Sequence, residues 1–67
     1  MTFEQYLNLV DQTYNNLNWR YGQTVMNILY SVWKEKHDEL VSSEYDCYYD
    51  DSSVSLTLDK LEKEWLI

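Results

Sequence analysis

Residues able to do chemistry are few in this chain, and they stand apart. His37 and Cys47 are the only histidine and the only cysteine. A metal centre needs several such ligands converging at short, characteristic spacings, so neither residue has the company a zinc site requires. Asp46, Asp50 and Asp51 offer oxygen ligands. Their spacing departs from a calcium-binding EF-hand, which asks for acids or amides at positions 1, 3 and 5, glycine at 6 and glutamate at 12. Nucleophilic catalysis needs a nucleophile, a base within reach and a group that orients the base. His37 and Cys47 supply at most two of these. With Gly22 as its single glycine the chain cannot build a glycine-rich phosphate cradle, and it carries no nucleophile elbow or dinucleotide fingerprint. The expectation is a non-enzymatic protein with no cofactor.

What the chain does concentrate is charge and aromatic surface. Between His37 and Asp59 lie seven acids, Asp38, Glu39, Glu44, Asp46, Asp50, Asp51 and Asp59, and no lysine or arginine. Tyr45, Tyr48 and Tyr49 are set among them. Steering by charge combined with desolvated aromatic anchors is a recurrent division of labour at protein interfaces. Glu44, Tyr45, Asp46, Tyr48, Tyr49, Asp50 and Asp51, with Trp19 and Tyr30 where exposed, therefore form a candidate surface for a basic protein partner. A solvated acidic loop whose tyrosines fold inward onto the core is the alternative. Arg20, the only arginine, shares a helical face with Gln23 and Asn27. Its guanidinium fork suits carboxylates, so these three residues are expected to clamp the Asp46 to Asp51 segment.

These residues must be positioned by one small domain, because 67 residues give room for a single core that buries roughly 60% of the unfolded chain's surface. A lone cysteine excludes an internal disulfide and fits a reducing compartment. Three Trp, seven Tyr and one Phe leave aromatic packing as the device that holds so small a fold together. A formal charge of −7 argues against direct binding to a phosphate backbone. The start of the chain lacks the basic and apolar regions of a signal peptide, and no apolar run approaches the ~20 residues that span a bilayer. A cytoplasmic location without membrane association is expected.

Helical periodicity dominates the pattern, and an all-α, three-helix domain is predicted. Phe3, Leu7, Val10, Tyr14 and Leu17 mark helix 1 over about residues 3 to 16, opened by a Thr2 and Gln5 capping box. Tyr21, Val25, Ile28, Leu29, Val32, Trp33 and Leu40 mark a continuous helix from 19 to 41, with Asn18 as its cap. Gly22 costs about 1 kcal/mol in that helix, which close approach of another backbone would explain. Residues 42 to 53 lose the period and form an acidic, tyrosine-rich loop. Val54, Leu58, Leu61 and Trp65 mark helix 3 over 54 to 65, capped by Ser52 or Ser53 and supported by an Asp59–Lys63 pair. The predicted core is Leu7, Val10, Tyr14, Val25, Ile28, Leu29, Val32, Leu58, Leu61 and Trp65.

The ordered run Arg20-Tyr21-Gly22-Gln23, Asn27, Leu29-Tyr30, Asp46-Cys47-Tyr48-Tyr49-Asp50-Asp51 and Glu64-Trp65 resembles small proteins encoded by tailed bacteriophages, cyanophages among them. It covers roughly residues 19 to 65. Cys47 stands where similar sequences often carry proline. The resemblance brings no activity, substrate or catalytic residue with it. It implies a phage accessory protein working in the infected bacterial cytoplasm. Three functions follow as expectations: a module that binds and modulates a host or phage protein, a nucleic-acid mimic occupying a basic groove, or a structural protein that self-associates through its aromatic surface.

Overall fold

Thr2 and Gln5 open α1, Phe3–Asn16, by capping each other: the Gln5 amide N–H donates to Thr2 Oγ1 at 3.0 Å and the Thr2 N–H to Gln5 Oε1 at 2.8 Å. A computed structural model describes all 67 residues. It places Phe3, Tyr6, Leu7 and Val10 on the inner face of α1, with Tyr6 and Val10 fully buried. Tyr14 and Leu17, predicted to continue that stripe, are exposed. A strict seven-residue repeat drifts by about 20° per heptad on a straight helix. Tyr14 accordingly slides sideways to meet Tyr21 edge-on at 5.2 Å, and Leu17 is already extended beyond the helix end. Tyr6 takes the vacant place because its hydroxyl donates to the Val25 carbonyl at 2.8 Å, which removes the penalty of burying a phenol.

The predicted helix from 19 to 41 is two helices, α2 over Tyr21–Val32 and α3 over Lys34–Leu40. Trp33, at φ −153° and ψ 73°, leaves the helical basin between them. Neither proline nor glycine causes the break. The aromatic and β-branched run Tyr30-Ser31-Val32-Trp33 has little helix preference, and tertiary contacts decide it: the Trp33 indole meets Trp65 edge-on at 5.1 Å. Beyond the break Lys36 is buried, with its ammonium 5.3 Å from the Trp33 ring centre and 2.8 Å from Glu64 Oε1. Asn18 is not the cap of α2. The chain stays extended to Arg20, and the first turn is satisfied from elsewhere, as described below.

Residues 41 to 50 contain no helix or strand. A single 3-10 turn, Asp51–Ser53, leads into α4, Val54–Glu64. The Asp59–Lys63 pair does not form; Lys60 instead reaches Glu64 Oε2 at 2.7 Å, one position along the same helix. The architecture is thus all-helical with four α-helices rather than three. Its core is Tyr6, Val10, Val25, Met26, Leu29, Leu40, Cys47 and Leu61, with Leu7, Ile28, Val32, Leu58 and Trp65 packed partly buried against it. Phe3, Tyr6 and Trp33 each lie 5.0 to 5.7 Å from the Trp65 ring. Ring pairs of this kind add about 0.5–1.5 kcal/mol beyond area burial. The indole N–H of Trp65 also donates to the Met1 carbonyl at 2.9 Å, tying the two ends of the chain together. No helix is long and apolar enough to cross a membrane.

Candidate functional site

The segment from Ser42 to Asp51 is organised by its own carboxylates. Ser42 closes α3 in the left-handed region at φ 64°, and its N–H donates to Asp46 Oδ2 at 2.9 Å while the Tyr48 N–H donates to Asp46 Oδ1 at 3.1 Å. Asp50 accepts the Ser52 N–H at 3.0 Å and the hydroxyls of Ser52 and Ser53, and so caps the 3-10 turn. These bonds to the charged form hold its carboxyl below the usual carboxylate range. Asp51 Oδ1 accepts the Gly22 N–H at 2.9 Å. A carboxylate far along the chain therefore caps α2, at the end where the helix dipole favours negative charge.

Gly22 is where the segment seats on the helix. A Cβ at this position would stand 2.1 Å from the Cys47 carbonyl oxygen, so only glycine admits the contact. Cys47 is fully buried there, its thiol 3.5 Å from the Gly22 carbonyl and pushed up in pKa by burial. Arg20 fastens the far side: Nη2 donates to the Tyr48 carbonyl at 2.8 Å, and Nη1 lies 3.7 Å from Asp51 Oδ1. The guanidinium thus holds the backbone by a hydrogen bond and the acid only as a half-exposed ion pair. Gln23 Nε2 donates to the Tyr48 hydroxyl at 3.3 Å. Asn27, expected beside them, makes no side-chain hydrogen bond to the segment; its carbonyl accepts the Ser31 hydroxyl at 3.4 Å.

The three tyrosines of the segment do not share a face. Tyr45 turns to α4, where the Lys60 ammonium lies 4.7 Å from its ring centre and Thr57 Oγ1 donates to its carbonyl at 2.6 Å. Tyr48 is half-buried, and Tyr49, 85% exposed, stands against it edge-on at 4.7 Å. Together with Met26, His37, Val41 and Asp46 these two rings line an open cleft of about 260 Å³ between the segment and the α2–α3 arm. Tyr30, 51% exposed, extends this surface by packing its ring edge-on against His37 at 5.1 Å. Glu44 is exposed within the segment but, like Trp19, half-buried in the connection between α1 and α2, is not among the residues lining the cleft.

Charge is less uniform than the sequence implies. Asp38 pairs with Lys34 at 2.6 Å, Glu39 with Lys36 at 3.1 Å and Asp51 with Arg20 at 3.7 Å. Glu44, Asp46, Asp50 and Asp59 have no cation within ion-pair distance, so four of the seven acids carry the region's uncompensated charge. His37 Nδ1 lies 3.0 Å from Asp38 Oδ1, whereas Cys47 faces the Gly22 carbonyl; the two do not form a nucleophile–base pair. The cleft's volume is below the 300–1,000 Å³ usual for cofactors and drug-sized ligands, and it matches the scale of one or two side chains.

The cleft escapes sequence reasoning because nothing in the pattern gives Met26, His37 or Val41 a shared surface. Their convergence follows the break at Trp33, which a weak local helix preference permits and the distant contact with Trp65 decides. No protein-family model matches the chain, and no curated protein or solved structure matches it either.

Proposed function

We propose that this protein is a small phage accessory protein that works by stoichiometric binding to a host or phage protein in the cytoplasm of the infected bacterium. Binding uses the cleft between the Ser42–Asp51 segment and the α2–α3 arm, with Tyr49 and Tyr30 as anchors. The observation that carries this reading is the position of Tyr49. A ring 85% exposed on a segment otherwise locked by Gly22, Arg20, Asp46 and Asp51 is an aromatic anchor presented on a rigid base, with little entropy left to lose on docking. The acids divide into two roles. Asp46, Asp50 and Asp51 build the segment, while the uncompensated charge of Glu44, Asp46, Asp50 and Asp59 steers a basic partner.

The nucleic-acid mimic is the weaker alternative, because hydrogen bonds to N–H groups of the chain fix the directions of three of the segment's carboxylates and leave each only part of its acceptor capacity. Self-association is the other, since Leu66 is 86% exposed and Leu56 45%.

Affinity capture from infected cells separates these readings. Wild type should retain a discrete partner, with retention falling as salt rises because screening shortens the Debye length from about 10 Å at 0.1 M to about 3 Å at 1 M. The Tyr30→Ala/Tyr49→Ala protein should lose that partner while keeping its helical spectrum. Unchanged capture by this variant would rule out the surface.

A further inference from the structure

We infer that the cleft is an arginine acceptor: it takes one arginine side chain of the protein partner, with the guanidinium on the Asp46 carboxylate and the Tyr49 ring. This inference deepens, and rests on, the surface reading given above. Three observations specify the occupant. Asp46 lines the cleft and has no cation of its own. Each of its oxygens accepts only one backbone N–H, from Ser42 and from Tyr48, and a carboxylate has about four lone-pair sites. One acceptor position on each oxygen therefore remains for a paired donor. Beside it Tyr48 and Tyr49 stand with ring planes 70° apart, so a plane lying along one ring meets the edge of the other. Met26 and Val41 supply the apolar part of the lining, which suits the methylene stem of a long cationic side chain, and His37 completes it.

Arginine fits this combination better than lysine. Its planar fork engages both oxygens of a carboxylate and stacks on an aromatic face, whereas an ammonium is a strongly hydrated point charge. The chain's own bases leave the position vacant. Arg20 is held on the Tyr48 carbonyl, Lys34 on Asp38, Lys36 on Glu39 and Glu64, and Lys60 on Glu64, while Lys63 lines a different cleft with Tyr45 and Leu56. His37 also lines the cleft, and every titration is run in one buffer so that only the peptide differs.

The test is an NMR titration of the full chain with acetyl-Gly-Arg-Gly-amide, and with the same peptide carrying citrulline or lysine. The arginine peptide should shift the amides of Val41, Asp46, Tyr48 and Tyr49 saturably, at least fivefold more tightly than either comparison peptide. Tyr49→Ala, which removes an exposed ring and leaves the remaining spectrum in place, should weaken it at least fivefold. Citrulline or lysine binding as well as arginine, or shifts that map away from the cleft, would overturn the inference. Loss of partner capture on removing Tyr30 and Tyr49 without any binding of the arginine peptide would refute the acceptor and leave the surface standing. Peptide binding without partner capture would do the reverse.

Discussion

Replacing Gly22 by alanine tests whether the Ser42–Asp51 segment is a rigid platform. The substitution pits a local preference against a tertiary contact, and the two have opposite signs. Alanine in the first turn of α2 gains about 1 kcal/mol of helix preference over glycine. Its methyl would stand 2.1 Å from the Cys47 carbonyl oxygen and 2.8 Å from Asp51 Oδ1, where 3.0 Å is already the limit for real contacts. The neighbour is backbone, so it cannot rotate away; the whole segment must lift. Overpacking of this kind costs about 1–3 kcal/mol. Lifting also lengthens the Gly22–Asp51 and Arg20–Tyr48 hydrogen bonds, each with a charged member and each worth about 1.5 kcal/mol at the low end suited to a partly exposed site. With both bonds lost the net expectation is a loss of about 3–5 kcal/mol. A chain of 67 residues holds about 3–10 kcal/mol in total at roughly 0.05–0.15 kcal/mol per residue, so the loss is a large fraction of its stability. Urea unfolding followed by circular dichroism should show the midpoint falling by about 3 M or more if the slope is near 1 kcal/mol per molar. An alanine variant equal to wild type, or more stable by the 1 kcal/mol of helix preference, would refute the seating of the segment on α2.

Other consequences are smaller but distinct. Ser42 holds a left-handed conformation at φ 64°, which costs a side-chain-bearing residue roughly 1–2 kcal/mol, so Ser42→Gly should raise the unfolding free energy measured in urea by up to about 1 kcal/mol after glycine's extra unfolded-state entropy is subtracted. Glu64, bonded by Lys36 and Lys60, is held at about 2 against an ordinary 4.5. Because the folded state resists protonation, its contribution is complete above about pH 4.5 and is lost as pH falls toward 2. The slope of stability against pH in that window should flatten in Glu64→Gln. Cys47 is fully buried with its pKa raised by burial, so native protein should resist thiol labelling until the segment opens, and Gly22→Ala should label markedly faster.

What was legible in the sequence was local. The Thr2–Gln5 cap reads directly because its partners are three residues apart, and the only glycine marks a close backbone approach without saying that Cys47 makes it. Tyr6 was missed because a heptad stripe leaves it out and its phenol suggests solvent; the acceptor that permits its burial, the Val25 carbonyl, lies 19 residues away. The break at Trp33 was illegible for a similar reason. It is set by Trp65 and by Lys36 reaching Glu64, contacts that no window along the chain contains. The acidic segment was visible as composition, but the division of its residues was not. Turn geometry sends Tyr45 to α4 and Tyr49 to solvent, and it spends three carboxylates on N–H groups that any loop must satisfy.

The central claim, that Tyr49 anchors a protein partner, is tested most directly by placing a photo-crosslinking benzoylphenylalanine at position 49 and irradiating infected cells that express this chain. The account predicts one discrete adduct with another protein, formed with the cleft intact and lost when Tyr30→Ala and Asp46→Asn are added to the crosslinking chain. Adducts only between two copies of this chain, or labelling that survives those changes undiminished, would contradict it.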